Sequence, residues 1–250
     1  MNDPKILPQV IKILPPGWVK SESPYVDMLY SVVVGGQDQR ANLRRFNLVY
    51  LDSARLVRTN SIEGALHSLE MGLEFYVSTE ARRRVFVHAG VVGWGSKAIV
   101  IPGKSTTGKT TLVAELVKQG ATYFSDEHAV LDARGRVHPY PKPLEIYSAR
   151  AGMRVKTPVA DLGGTIGTKP LPVGLILASE YRKSAEWRVR ELSRGKGVLA
   201  LLAHTSSARH RPDFTLSTLQ RVVANARVVQ GVRGEAREAA SIILEELATR

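Results

Sequence analysis

Gly103, Lys104, Ser105, Thr106, Thr107, Gly108, Lys109 and Thr110 stand in the spacing G-x-x-x-x-G-K-[ST], which lets a short loop wrap phosphate groups. The chemistry needs these residue types. Gly103 and Gly108 allow the backbone to turn with successive N–H groups aimed inward at phosphate oxygens. Lys109 brings a point positive charge to the β- and γ-phosphates, and the Thr110 hydroxyl is placed to ligate Mg²⁺. With Thr111 added, these residues form the expected binding set for ATP. The surroundings are those such a loop requires: a strand-like apolar run, 98–101, enters it and a helix-like run, 111–119, leaves it. The bland alternative is a chance match in a glycine-bearing turn.

Two further segments can be set against the loop by connectivity. The helix ends near Gly120, suited to a left-handed cap, and residues 121–125 read as a short strand. A strand–helix–strand unit returns parallel to its start, so both strands end on one sheet edge. Asp126 and Glu127 therefore emerge beside the loop, where metal coordination and proton abstraction need acids. A solvated acidic turn or a helix cap is the alternative. Residues 85–92, 93–96 and 97–101 read as a hairpin. With Trp94 and Gly95 at the turn centre, Gly93 opposes Ser96, and His88 opposes Ile101, two residues from the loop. A buried strand histidine held by backbone groups is the alternative there. The 17 residues from Lys109 to Asp126 hold one short helix, a tighter spacing than in motor and transporter ATPases, and no Asn-Lys-x-Asp is offered to read guanine.

The elements that must position these groups come from the rest of the 250 residues. Residues 1–24 hold five prolines (Pro4, Pro8, Pro15, Pro16, Pro24) and read as an extended arm. Strand-like runs at 29–34 and 46–51 flank a turn-and-charge stretch, 35–45, and 61–78 is helical, opened by Ser61 and Glu63. Beyond the loop, 138–143 and 163–172 are loop-rich, 173–178 and 188–192 strand-like, and 197–204, 215–227 and 234–247 helical. Strands and helices intermix, which predicts an α/β protein. Zero cysteines exclude disulfides and thiolate chemistry, and no apolar run approaches the roughly 20 residues of a membrane span. With no basic-then-apolar start either, the expectation is a cytoplasmic protein without a membrane partner. The net charge of +12 is spread over arginine clusters (Arg40, Arg44, Arg45; Arg82 to Arg84; Arg209, Arg211) without interleaved aromatics, which argues against nucleic acid as a partner.

At this point the chain resembles the catalytic domain of the HPr kinase/phosphorylase superfamily. Within it, the resemblance is to the small kinase-like relatives found beside peptide-modification genes, including lasso-peptide kinases. The matching pieces are Val87-His88-Ala89-Gly90, residues 103–110, and Phe124-Ser125-Asp126-Glu127, in the family's order and near its spacing. The match is good over residues 85–150 and weak through Pro141-Lys142-Pro143, 171–175 and 203–212. It implies an α/β fold of HPr kinase/PEP carboxykinase type: a P-loop kinase core over 85–250 with C-terminal helices, and a small N-terminal α+β lobe over 1–84. It implies Asp126 as the catalytic base, Glu127 as the metal-associated acid, and His88 as the histidine flanking the phosphates. Family enzymes are often homo-oligomers. The chain departs from the bifunctional members in three ways. Thr111 stands where they carry an acid, Glu127 replaces the second Asp of a pair, and the first eighty residues do not match their N-terminal domain. These departures bear on HPr as substrate and on the reverse phosphorylase reaction, and leave kinase chemistry in place.

The expectation is thus an ATP- and Mg²⁺-dependent kinase that phosphorylates a hydroxyl, foremost a serine of a peptide or protein. One rival is a small-molecule kinase of shikimate or nucleoside type, with Arg150 and Arg154, or Arg209 and Arg211, as its lid. The other is a nucleotide-binding regulator without transfer chemistry.

Overall fold

The computed structural model describes residues 1–35, 46–104, 107–148 and 150–248. Residues 36–45 of the expected turn, with Arg40, Arg44 and Arg45, lie outside these, as do Ser105 and Thr106 of the glycine loop. The described chain divides into two compact units, Met1–Val77 and Ser78–Arg250. None of its helices is long and apolar enough to cross a membrane.

The first unit holds α1 (Leu7–Lys12), the antiparallel strands β1 (Tyr30–Val33), β2 (Asn47–Leu51) and β3 (Ala54–Thr59), and most of α2 (Ile62–Glu80). The arm is not simply extended. Asp3 accepts from Lys5 N–H at 2.9 Å and starts a 3₁₀ turn, Pro4–Ile6, that runs into α1. Pro4 and Pro8 occupy first-turn positions, where a missing N–H breaks no helical bond. Ile6 is buried with Val32, Val49, Ala65 and Leu69, so the arm closes this small core. Ser61 caps α2 by accepting from Gly64 N–H at 3.1 Å. The edge strand β3 is largely exposed, so it carries no apolar alternation by which sequence could find it.

The second unit is a mixed α/β sandwich. Its strands are β4 (Val85–Trp94), β5 (Lys97–Pro102), β6 (Thr122–Ser125), β7 (His128–Leu131), β8 (Arg136–His138), β9 (Leu144–Ser148), β10 (Met153–Thr157), β11 (Leu171–Tyr181), β12 (Arg188–Glu191) and β13 (Arg227–Arg233). Its further helices are α3 (Lys109–Lys118), α4 (Arg194–Leu202), α5 (Pro212–Ala224) and α6 (Ala236–Ala248). The main sheet runs β12-β13-β11-β5-β4-β7-β8, with β6 also beside β4, and β9 and β10 form a separate hairpin. Alternation along the strands splits the core. Ile99, Ile101, Leu177 and Val229 face α3 and α6, while Val100, Ile176 and Val228 face α4 and α5. Leu112 and Leu116 of α3 are fully buried, each worth about 1.5–3 kcal/mol of apolar burial.

Strand directions decide where the chemistry gathers. Strands β5 and β6 both run antiparallel to β4, so they are parallel to each other, with β4 between them along part of its length. Thus β4 starts at the edge where β5 and β6 end. Strands β11 and β13 run parallel to β5 and finish at that edge too. The hairpin register differs from the expected one by two residues. Trp94 pairs with Lys97 and Ala89 with Pro102, because the turn centre is Gly95-Ser96 and not Trp94-Gly95. Gly95, at φ 56°, supplies the left-handed residue such a tight turn needs. At the C-terminus, the helix expected to reach Arg227 stops at Ala224, and Arg227 opens β13 instead.

Candidate functional site

The glycine loop follows β5 directly. The N–H of Gly103 donates to the carbonyl of His88 at 3.4 Å, so the corrected register sets His88 across from the first loop residue. A Cβ on Gly103 would come within 2.9 Å of Thr107 Oγ1, so the close turn needs glycine there. The Thr107 hydroxyl and the Lys109 amine both donate to the carbonyl of Lys104, at 2.9 and 2.7 Å. Lys109 is the first residue of α3, and its side chain folds under the loop until only 7% of the residue is exposed. Burial pushes its pKa down, against the upward pull of Glu127 and then Asp126. Gly108 caps α3 at φ 79° with no side-chain hydrogen bond, which leaves the first-turn N–H groups to other acceptors.

The acids diverge after β6. Ser125 Oγ accepts from the N–H groups of Glu127 (3.2 Å) and His128 (3.0 Å), a turn that sends the two carboxylates different ways. Asp126 is 3% exposed, whereas the Glu127 side chain is 48% exposed. The Tyr123 hydroxyl lies 2.9 Å from Asp126 Oδ1 and 2.8 Å from the Lys142 carbonyl, one proton facing two acceptors. Thr110 lies near the Asp126 carboxyl and favours its charged form. Burial raises the Asp126 pKa, and the bond from Tyr123, then the nearness of Thr110, hold it back. Glu127 is raised by the protein packed around it and then by the charge of Asp126.

His88 stands between loop and acids, its Nε2 3.6 Å from Glu127 Oε2. That separation exceeds a hydrogen bond. Burial, followed by Lys109, His128 and His204, pushes the His88 pKa down to about 4, so the ring is neutral at pH 7. His204 accepts from His88 N–H through its carbonyl at 2.8 Å, and its own ring is lowered by burial, Lys109 and Lys104. The sign for stability follows. Between pH 6.5 and about 4 the unfolded chain binds a proton at His88 that the fold refuses, so stability falls as pH drops through that window. Above pH 6.5 the contribution is constant. Melting temperatures against pH should therefore show a shallower acid loss in His88→Gln than in the wild type. Any catalytic role is read separately: His88→Ala should slow turnover in a folded protein, and unchanged turnover with a lower melting temperature assigns the ring to packing alone.

The structure brings together His88, Gly103, Lys104, Thr107, Gly108, Lys109, Thr110, Asp126 and Glu127 from the expected set. Thr111 is exposed and lines an open depression of about 490 Å³ with Glu115, Lys118 and Arg237. Of the arginines weighed for a lid, Arg154 is near enough to depress the Lys109 pKa. Arg211 instead donates to the Arg84 carbonyl at 3.2 Å and stacks at 5.3 Å on Phe214. Tyr123, His204 and Arg233 were not in the expected site set. Tyr123 stands three residues before Asp126, on the short strand that leads to it, a usable signal; His204 lies in the weakly matching stretch 203–212, and Arg233, 124 residues beyond Lys109, carries none. Among the described residues no three His, Cys, Asp or Glu gather as a metal cage. The hard oxygens of Thr110, Asp126 and Glu127 suit Mg²⁺, which takes one or two carboxylates and completes its shell with water and phosphate.

No family model matches this sequence, and no curated protein matches it. Among solved structures, the chain is similar to the HPr(Ser) kinase/phosphatase from Coxiella burnetii, at a TM-score of 0.37 and 11% identity, over 66% of this chain and 94% of that one.

Proposed function

We propose that this chain is a P-loop kinase that uses ATP and Mg²⁺ to phosphorylate a hydroxyl, foremost a serine of a peptide or protein. The observation that carries the reading is the convergence of Lys109, Thr110, Asp126, Glu127 and His88, from three separate segments, around a helix start without a side-chain cap. Backbone N–H groups and the helix dipole suit phosphates, and Lys109 compensates charge on the transferred group. Thr110 and Asp126 would hold Mg²⁺, which would supply positive charge to offset that of the phosphates. The nearness of Thr110 favours Asp126 as the acid on the metal side. Glu127, half exposed beside His88, is then the acid open to an incoming hydroxyl. The acceptor oxygen forms its bond to the γ-phosphorus as the bond to the β–γ bridging oxygen breaks; its proton passes to Glu127 and ADP leaves. This exchanges the two acidic roles that the family resemblance implies. The net charge of +12 favours an acidic acceptor segment.

Incubation with γ-labelled ATP, Mg²⁺ and a cell lysate or candidate peptides, followed by mass spectrometry, tests the reading. Metal-dependent phosphoserine on a peptide is the expected product. Label on a small metabolite would move the assignment to the small-molecule kinases, and ATP binding without transfer to the regulators.

A further inference from the structure

A buried cation from a distant strand faces the back of the glycine loop. Arg233, the last residue of β13, is 2% exposed. Its Nη2 donates to the carbonyl of Gly108 at 2.8 Å and reaches that of Thr107 at 3.4 Å, while Nη1 donates to Gly234 at 3.2 Å. The guanidinium carbon lies 5.5 Å from the centre of the Tyr181 ring, and Nε has no hydrogen-bond partner. Burying a guanidinium is unfavourable unless its protons are engaged, and here Nη1 and Nη2 are engaged by backbone oxygens, two of them in the loop.

Peptide geometry turns this into a statement about donors. In a trans peptide the C=O and the following N–H point in opposite directions. Holding the Gly108 carbonyl toward Arg233 sends the Lys109 N–H away from it, and holding the Thr107 carbonyl does the same for the Gly108 N–H. The Gly108 oxygen also accepts from Leu112 N–H at 3.0 Å, the first bond of α3, so one atom ties the loop to both a helix and a strand. Glycine is required at 108 twice over: φ is 79°, and a Cβ would stand 2.5 Å from Arg233 Nη2.

We propose that Arg233 is a positioning residue for polyphosphate binding, fixing the Thr107–Gly108 and Gly108–Lys109 peptides so that their N–H groups face the incoming anion. The inference rests on the nucleotide reading above and adds the residue that presets its loop. Arg233 acts through the backbone and touches no phosphate.

The test uses the full chain, Arg233→Gln and Arg233→Lys, with Mg-ATP and inorganic tripolyphosphate as probes. Arg233→Gln should raise the Kd for both probes by about tenfold or more, the scale of losing charge-assisted N–H contacts. Arg233→Lys keeps the charge but not the planar fork, so it should recover only part of the loss. In ¹⁵N-labelled protein, the Gly108 and Lys109 amide shifts induced by tripolyphosphate should shrink in Arg233→Gln, with the signals of α4 and α5 unmoved. Wild-type affinity in either folded variant overturns the positioning role and leaves the nucleotide reading standing; a lowered melting temperature alone then marks Arg233 as structural. Should Arg233→Gln not fold, Arg233→Lys decides by the same criterion. A wild-type chain that binds neither probe overturns the nucleotide reading and, with it, this role.

Discussion

Lys109→Ala is expected to reduce phosphoryl transfer by a factor on the order of 10² to 10³, the scale of removing one preorganised charge or donor from a transition state. The amine sits under the loop with its hydrogen bond to the Lys104 carbonyl, in surroundings dry enough to depress its pKa. Charge in such a place acts strongly on a phosphoryl group in transfer. The same burial separates activity from stability. A cation held against a desolvation penalty contributes little to folding, so the alanine variant should melt within a few degrees of the wild type. Steady-state transfer and a thermal scan on one preparation check both halves. Full activity in a folded Lys109→Ala protein would sink the site, because no other lysine is buried at this edge among the described residues.

The acids should part company when each loses its charge. Glu127→Gln keeps shape and removes the proton acceptor, so transfer should fall by about 10² or more. Affinity for Mg-ATP should change by less than about tenfold, because the base matters to the transition state more than to ground-state binding. Asp126→Asn should also depress transfer, but with its half-saturating Mg²⁺ moved to higher concentration, because the lost carboxylate is the one near Thr110. Turnover measured across a Mg²⁺ titration for both variants distinguishes the two assignments. If Asp126→Asn loses transfer with an unshifted metal requirement and Glu127→Gln shows the shift, the roles implied by the family resemblance stand and the exchange proposed here fails.

What the sequence determined is local. The spacing of Gly103, Gly108, Lys109 and Thr110, the apolar run before them and the helical run after them are set within a dozen residues, and the structure forms β5 and α3 there. The emergence of Asp126 and Glu127 at the loop's edge was also legible, because one helix between two strands constrains their directions. The elements that escaped were those whose local pattern points elsewhere. The proline-bearing arm folds back as α1 because Ile6 finds a core supplied by β1, β2 and α2. The helical reading of 215–227 ran one element too far because Arg227 joins a strand whose partner is β11, some fifty residues earlier.

Only the tertiary structure decided how the site is wired. A one-residue shift of a hairpin turn, two residues of register, moved His88 from beside Ile101 to face Gly103. The insertion of β4 between β5 and β6 put that histidine next to Glu127, and burial, then the charges of Lys109, His128 and His204, keep it neutral. Whether Asp126 or Glu127 meets solvent is a matter of one serine turn and the burial around it. Arg233 lies 124 residues from Lys109 and reaches the loop only because β13 ends at the same sheet edge. Register, strand order and desolvation depend on contacts between residues far apart in the chain, and no short-range spacing encodes those. The loop could therefore be read from the sequence, while the charges around it required the fold.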